Sequence, residues 1–598
     1  MSKMKISDFL VNKLKKYGVD RVFGLNGSGT ALQIFDSLAR TDGIDYFCTL
    51  HEQAAGFAAD AYASLRGGMG ACFVTSGPGV GNIFTCVSGS FYNSTPVVYI
   101  MGQSPTTAIR YNDELRFFGY HETNNIKKTF EDITKYTTII DRPEIARYEI
   151  EKALHLAVQG RPGPVVIALP DDITWLEIEP EEQEGFTEPE VNLIKETQVD
   201  LSQIAGFLED SSRPIFVAGR GVKIAGAQKE LLDYAKKNSI PIAPAYSTRD
   251  LMADDDELNA GSFGLQGLRA GNFAIQTADL IIVLGSRLDF SESGREAKLF
   301  GKNAKVIHVD IDNAELEKCK NYNIHTDIKI NMDVKVFFNQ LKQLKNTNES
   351  AINNRKKWIA LIAEWKTKYN SKPDSKGNVN AINPYYFLDV LSNEISPQNV
   401  FVTDTSTSRN YFFQYFRFSD GQKAHTWFNY CCLGYGICAS IGACVALNRP
   451  VVSIMGDGAL HFNIQELATI SFNHLDIKTV IFDNGGYANI ARLQDNYLGK
   501  RYYGSTREYG LPLPEIMPIV KAYGIPAIEL SDPEKTENSV KEWLNTNGPA
   551  VLILKTDIHF WTSPFKKGMG ELSDMTPALP DDELKEQYER ALKIGEKK

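Results

Sequence analysis

Two glycine-rich turns that carry hard oxygen ligands, and one acidic helix start, hold the chemistry visible in this chain. The first turn is Gly456-Asp457-Gly458-Ala459, entered directly from the apolar run 451–455. The second is Asp483-Asn484-Gly485-Gly486-Tyr487, which closes the apolar run 479–482 and sets Asn484 27 residues after Asp457. Glycine lets the backbone approach a phosphate closely, while a carboxylate and an amide oxygen suit a hard cation and leave it free positions. Mg²⁺ with a diphosphate fits that donor set. Either turn alone is also an ordinary strand-to-helix connection; the two together are harder to read that way. The third feature is His51-Glu52-Gln53, where the apolar run 46–50 gives way to strong helix formers. By itself, an acid in a first helical turn is a partner for the helix dipole.

Such residues need strand ends to hold them. Short β-branched runs bounded by Gly or Pro recur at 97–101, 165–169, 215–218, 280–284, 306–310, 400–403, 451–455, 479–482 and 551–554, separated by longer segments of helical pattern. This alternation predicts an α/β protein of doubly wound parallel sheets, whose ligands gather beyond the carboxyl ends of the strands. A length of 598 residues suits three large domains. Polar, proline-containing stretches at 177–190 and 342–384 read as linkers, the second including a helix around Trp358 and Trp365. The expected domains are 1–185, 190–345 and 380–560, followed by a charged, partly helical tail over 561–598. No short internal repeat is visible.

Composition narrows the function. Sixty-four Lys+Arg against 74 Asp+Glu leave a net charge of -10, which excludes in bulk the basic surface of a nucleic-acid binder. Eight cysteines without a CxxC pair read as reduced thiols rather than a disulfide framework or zinc site. The N-terminus has no apolar signal-peptide core, and no run approaches the roughly 20 apolar residues of a membrane span. The expectation is a cytoplasmic protein with no membrane partner.

With its Asn-containing turn following GDG at this distance, the chain resembles the thiamine diphosphate (ThDP) enzymes, specifically their acetolactate-synthase-like branch. The blocks from His51 to Tyr62, Thr75 to Asn82, Gly160 to Pro170, Leu433 to Ala443 and Asn463 to Thr469 carry the likeness, with Gly285-Ser286-Arg287-Leu288-Asp289, His308 to Asp312 and Asp574 to Pro577. It implies a pyrimidine-binding, a central nucleotide-binding-like and a diphosphate-binding domain. It also implies a metal site of Asp457, Asn484 and the Gly486 carbonyl. Gly456, Gly458, Ala459, Tyr487, Ser406, Thr407 and Ser408 would join these around the cofactor. The Cys431 carbonyl would accept from the 4′-amino group, and Leu433 would be the apolar wedge that bends the cofactor. Glu52 would bond N1′ of the aminopyrimidine, where a buried carboxylate near neutral pKa serves proton transfer. Ser28, His121 and Tyr487 are candidates for the donor pocket.

The resemblance further implies a small 2-oxo acid donor, a carbonyl acceptor, and a homodimer or homotetramer with active sites between subunits. Gly485 to Ile490 and Arg116 to Glu122 are similar to members from sugar and surface-polysaccharide pathways. The sequence departs from the branch in several places. Ser28 and Ile490 stand where pyruvate decarboxylases carry acids, which favours carbon–carbon bond formation over a non-ligating decarboxylase. A non-catalytic subunit of the same fold is the remaining alternative. Ser291 replaces the arginine that binds the second 2-oxo acid, a role Arg295 is placed to take; otherwise the acceptor is an aldehyde, ketone or keto-sugar. Asn26 replaces a usual proline, without a mechanistic account. Gly219-Arg220-Gly221, 264–272, Arg287 and Asp310 match FAD-contacting positions, although an empty or different nucleotide pocket is equally compatible with such a domain.

Overall fold

A computed structural model describes residues 3–27, 29–110, 119, 121–124, 126–188, 200–344, 349–370, 373, 375–378, 380–566 and 568–596. Three parallel sheets form its frame. The first contains β1 (Arg21–Gly24), β2 (Asp45–Cys48), β3 (Gly70–Val74), β4 (Val97–Gln103), β5 (Tyr136–Ile139) and β6 (Val165–Pro170), ordered β2-β1-β3-β4-β6-β5. The central sheet has β7 (Pro214–Ala218), β8 (Ile242–Pro244), β9 (Leu280–Leu284), β10 (Lys305–Asp310) and β11 (Ile328–Asn331), ordered β8-β7-β9-β10-β11. The third has β12 (Val400–Thr403), β13 (Lys423–Thr426), β14 (Val451–Gly456), β15 (Ile477–Asp483), β16 (Ala527–Leu530) and β17 (Ala550–Lys555), ordered β13-β12-β14-β15-β17-β16. All neighbouring strands in these sheets are parallel.

Helices cover both faces of each sheet, which is why inner strands such as β4 and β9 are apolar and buried along their whole length. In each sheet the strand order reverses beside its first strand, between β1 and β3, β7 and β9, and β12 and β14. Crevices for ligands open at such switch points. Gly456 ends β14 and Asp457 follows it, Gly219 follows β7 and Gly285 follows β9, so the motifs singled out by sequence fall where the topology provides room.

Four helices bear on the site, α1 (Glu52–Arg66), α2 (Thr407–Tyr415), α3 (Tyr435–Leu447) and α4 (Ala488–Tyr497), while α5 (Asp581–Leu592) packs on the central domain. Alanines of α1 pack against the small residues of α3, joining the first and third domains in one core. The approach is close: a Cβ on Gly442 would lie 2.0 Å from the Ala58 carbonyl oxygen. Beside it, buried Asp60 accepts from Trp427 Nε1 at 2.7 Å, Ser90 Oγ at 2.8 Å and the Tyr435 hydroxyl at 3.0 Å.

The structure corrects the reading of the polar stretches. Trp358 and Trp365 lie on one helix, Glu349–Lys368, and both are fully buried in the core of the central domain, so this segment is packing material and not a linker. The tail returns to the same core through Leu572 and Ala591, and Trp365 Nε1 donates to Gln587 Oε1 at 3.0 Å. Within 177–190, Glu177–Ile178 pairs antiparallel with Met4–Lys5. All eight cysteines are free thiols. Among the described residues, no helix is long and apolar enough to cross a membrane.

Candidate active site

His51 caps α1, its Nδ1 accepting the Gln53 N–H at 3.1 Å, and Glu52 takes the first helical position in a buried setting. The Thr75 to Asn82 loop after β3 closes over it. Asn82 Nδ2 donates to Glu52 Oε2 at 3.0 Å, and a Cβ at Gly79 would stand 3.3 Å from Oε1. From the third domain, buried Glu466 accepts the Leu50 N–H at 3.1 Å and the Thr469 hydroxyl at 2.6 Å. The turn that presents Glu52 is thus pinned from the opposite domain. Asn82 and Glu466 lay inside motifs noted by sequence, but their partners are long-range and left no local signal.

The third-domain motifs also meet in space. Asp457, 2% exposed, accepts the Gly458 N–H at 2.7 Å on Oδ1, with the N–H groups of Gly485 at 2.8 Å and Gly486 at 3.1 Å on Oδ2. Asn484 Oδ1 takes the Gly486 N–H at 3.1 Å. Burial first, and the charge of Asp483 second, push the Asp457 carboxyl up to about 7. A nearby divalent cation would favour its ionised form. Among the described residues no three His, Cys, Asp or Glu side chains form a metal cluster. Tyr487 covers the turn, since a Cβ on Gly458 would fall 2.3 Å from its ring. Ala459 continues the short helix Asp457–Leu460.

Across the switch point, Ser406 precedes α2 with φ +79°, and Thr407 and Ser408 occupy its first turn. The buried Ser408 hydroxyl has no hydrogen-bond partner among the described residues. An orphaned hydroxyl and free N–H groups at a helix N-terminus fit an anionic diphosphate. Asp404 organises this wall: it accepts the N–H groups of Thr405 at 2.8 Å and Gly436 at 2.7 Å, and burial pushes its carboxyl up to about 6. Cys431 holds φ +55°, and Leu433 is half-buried against the core. Gly434, at φ +82°, leaves no space for a side chain, because a Cβ would meet that of Phe462 at 2.5 Å. Asn463 links the two walls, donating to Gly434 O at 3.1 Å and Gln53 Oε1 at 3.3 Å.

Ser28 and most of 116–122 lie outside the described residues. His121 sits on an exposed bend. Ile490 is 45% exposed on α4, whose first turn carries no acid. Ser291 is spent on local structure, its N–H and hydroxyl both donating to Asp289 Oδ1 at 2.8 and 2.5 Å, and Arg295 is exposed. A cavity of about 1130 Å³ opens beyond the central sheet, bordered by Arg161, Arg220, Arg287 and Asp310.

Three family models match in series: the N-terminal TPP binding domain over residues 4–132, the central domain of thiamine pyrophosphate enzymes over 201–341, and their C-terminal TPP binding domain over 404–554. The chain is 31% identical to a probable acetolactate synthase large subunit of Methanocaldococcus jannaschii, over 93% of this chain and 92% of that one. It is 30% identical to the acetolactate synthase large subunit of Lactococcus lactis over 90% of each. Identity to a chloroplastic acetolactate synthase of Nicotiana tabacum is 28%, over 92% and 81%. A three-sheet α/β frame with a carboxylate at one switch point and an Asp–Asn turn at another defines a cofactor-dependent enzyme of the thiamine diphosphate class. Within that class, the chain belongs to the acetolactate-synthase-like branch.

Proposed function

We propose that the protein decarboxylates a small 2-oxo acid, pyruvate first among them, and joins the acyl unit to a carbonyl acceptor. In that reaction the bond between carboxyl and carbonyl carbons breaks with loss of CO₂. Its electron pair forms the bond to the acceptor carbonyl carbon, and the acceptor oxygen takes up a proton. When bound, ThDP supplies the nucleophilic carbon and the electron sink. Glu52 would hold the proton at pyrimidine N1′, oriented by Asn82, and Leu433 would fix the cofactor's bend. Asp457, Asn484 and the Gly486 carbonyl would hold Mg²⁺ against the diphosphate, with Ser406, Thr407 and Ser408 on its oxygens. Ser28, His121 and Tyr487 would face the donor.

What supports ligation over simple decarboxylation is the acid-free first turn of α4, where Ile490 stands at the position that carries an acid in the decarboxylases the chain resembles. For the cavity above the central sheet the same reading assigns FAD, supported by its volume and its place at a switch point; visible flavin absorption in protein released by heating tests it. The active unit is proposed to be a cytoplasmic homodimer or homotetramer. Product analysis by NMR, with pyruvate alone and with a panel of aldehydes, 2-oxo acids and nucleotide-linked keto-sugars, tests the reaction. A ligated product is expected; stoichiometric acetaldehyde under every condition would refute ligation.

A further inference from the structure

The loop between β13 and α3, residues 427–434, carries two of the groups assigned above to the cofactor, the Cys431 carbonyl and the Leu433 side chain. Two of its residues stand in the left-handed region, Cys431 at φ +55° and Gly434 at φ +82°. Glycine adopts that backbone freely; a cysteine keeps it only where its surroundings over-determine it. From the third domain itself, Arg409 donates to Phe428 O at 2.6 Å and Asp404 accepts the Gly436 N–H at 2.7 Å. These contacts fold the loop on its own domain. Its placement against α1, the helix that begins with Glu52, needs contacts that cross to the first domain.

Asp60 provides them. It lies on α1, about two turns beyond Glu52, and is fully buried. Its Oδ1 accepts Trp427 Nε1 at 2.7 Å and the Tyr435 hydroxyl at 3.0 Å, one from each end of the loop, while Ser90 Oγ donates to Oδ2 at 2.8 Å. The Tyr435 hydroxyl has one proton and gives it to Asp60, so His425 Nε2, 2.5 Å from that hydroxyl, is its donor. The rings fit as closely. Trp427 and Tyr435 stack with centroids 4.3 Å apart, and Phe57 of α1 meets both edge-on at 5.1 and 5.3 Å. Gly89 makes room for the indole in the first domain, since a Cβ there would fall 2.2 Å from the Trp427 ring.

We infer that Asp60 is a positioning residue for the cofactor: by holding Trp427 and Tyr435 on one oxygen, it sets Cys431 and Leu433 at a fixed height against α1. The inference rests on the assignment of those two groups to ThDP under the proposed function. Apolar side chains would join the two domains without the cost of burying a carboxylate. What the carboxylate adds is geometry, because charge-assisted hydrogen bonds are short and directional and a shared oxygen ties the two ends of the loop to each other.

Trp427→Phe and Tyr435→Phe each remove one donor and keep an aromatic ring. Each is expected to raise the Kd for ThDP about 10-fold, by calorimetric titration with Mg²⁺ present, and to speed amide hydrogen exchange over 428–434 in the cofactor-free protein. The double variant is expected to bind ThDP within about threefold of the weaker single one, because releasing either end frees the loop. Asp60→Asn, which keeps an oxygen for both donors, should bind ThDP more tightly than that double variant. Lowered thermal stability in both single variants, with ThDP affinity and loop exchange unchanged, would make Asp60 a packing residue and overturn the inference. Losses that multiply to about 100-fold in the double variant would overturn it as well, since two independent bonds are not a clamp. Leu433→Ala separates this inference from the reading beneath it. If that variant leaves ThDP affinity unchanged, the loop is not at the cofactor and the site assignment fails; if it weakens ThDP and the Phe variants do not, only the role of Asp60 fails.

Discussion

Glu52, Asp457 and Asn484 were legible because their chemistry is local: an acid at a helix start, or hard oxygens among glycines at a strand end. Asn82, Asp404 and Glu466 were not, because each acquires meaning only from a partner brought close by the fold. Glu52 offers the most direct test. Glu52→Gln keeps the hydrogen bond from Asn82 but removes the ionisable carboxyl, so kcat is expected to fall about 100-fold or more with thermal stability nearly unchanged. A variant that turns over at the wild-type rate would remove Glu52 from proton transfer. His308 gives a stability test of the same scale. It is fully buried, its Nε2 2.8 Å from Ser286 O, and burial lowers its pKa to about 4. A depressed histidine pKa contributes stability above the unfolded value near 6.5, and that contribution fades as pH falls towards 4. Relative to His308→Gln, the wild-type protein should lose about 2 kcal/mol between pH 7 and pH 5 in urea titrations. A difference independent of pH would mean that His308 is not held neutral.

At the scale of elements, the sequence announced nine inner strands, passed over the inner β1 and β3, and left the edges unnamed apart from the apolar run at β2. β4 and β9 are almost wholly apolar because helices cover both their faces, whereas edge strands such as β5 and β11 are short and partly polar, so periodicity hid them. The helix Glu349–Lys368 was visible, but its long polar stretches disguised a core role that only the burial of both tryptophans discloses. The pairing of α1 with α3 was also invisible, although its requirement for small residues is written into both helices. Gly442→Val should be strongly destabilising, by about 3 kcal/mol or more, because the nearest atom is backbone and cannot rotate away. Equilibrium unfolding in urea checks this; a change below about 1 kcal/mol would mean that the two helices separate readily.

At the scale of the molecule, the first and third sheets share one strand order although the sequence shows no repeat. Strand order is fixed by which runs are central and which are edges, and unrelated residues satisfy that equally well. Each of these sheets contributes a different half of the proposed site, with Glu52 beyond one and Asp457 beyond the other. Two such halves on every chain allow a symmetric dimer to build its sites across the subunit boundary, each chain giving its carboxylate to the partner's diphosphate wall. Mixing inactive variants decides whether it does. Glu52→Gln and Asp457→Asn proteins, each inactive alone, would be unfolded or dissociated together and allowed to reassemble. If sites form between chains, a mixed dimer contains one site with both residues intact and one with both altered. Random reassortment then restores about a quarter of wild-type activity, since about half the dimers are mixed and each has one working site of two. If every site forms within one chain, no mixture contains an intact pair and activity stays at background. Recovery that rises with the mixed fraction, measured by native mass spectrometry alongside turnover, would place the site between subunits; background activity in confirmed mixed dimers would place it within the chain.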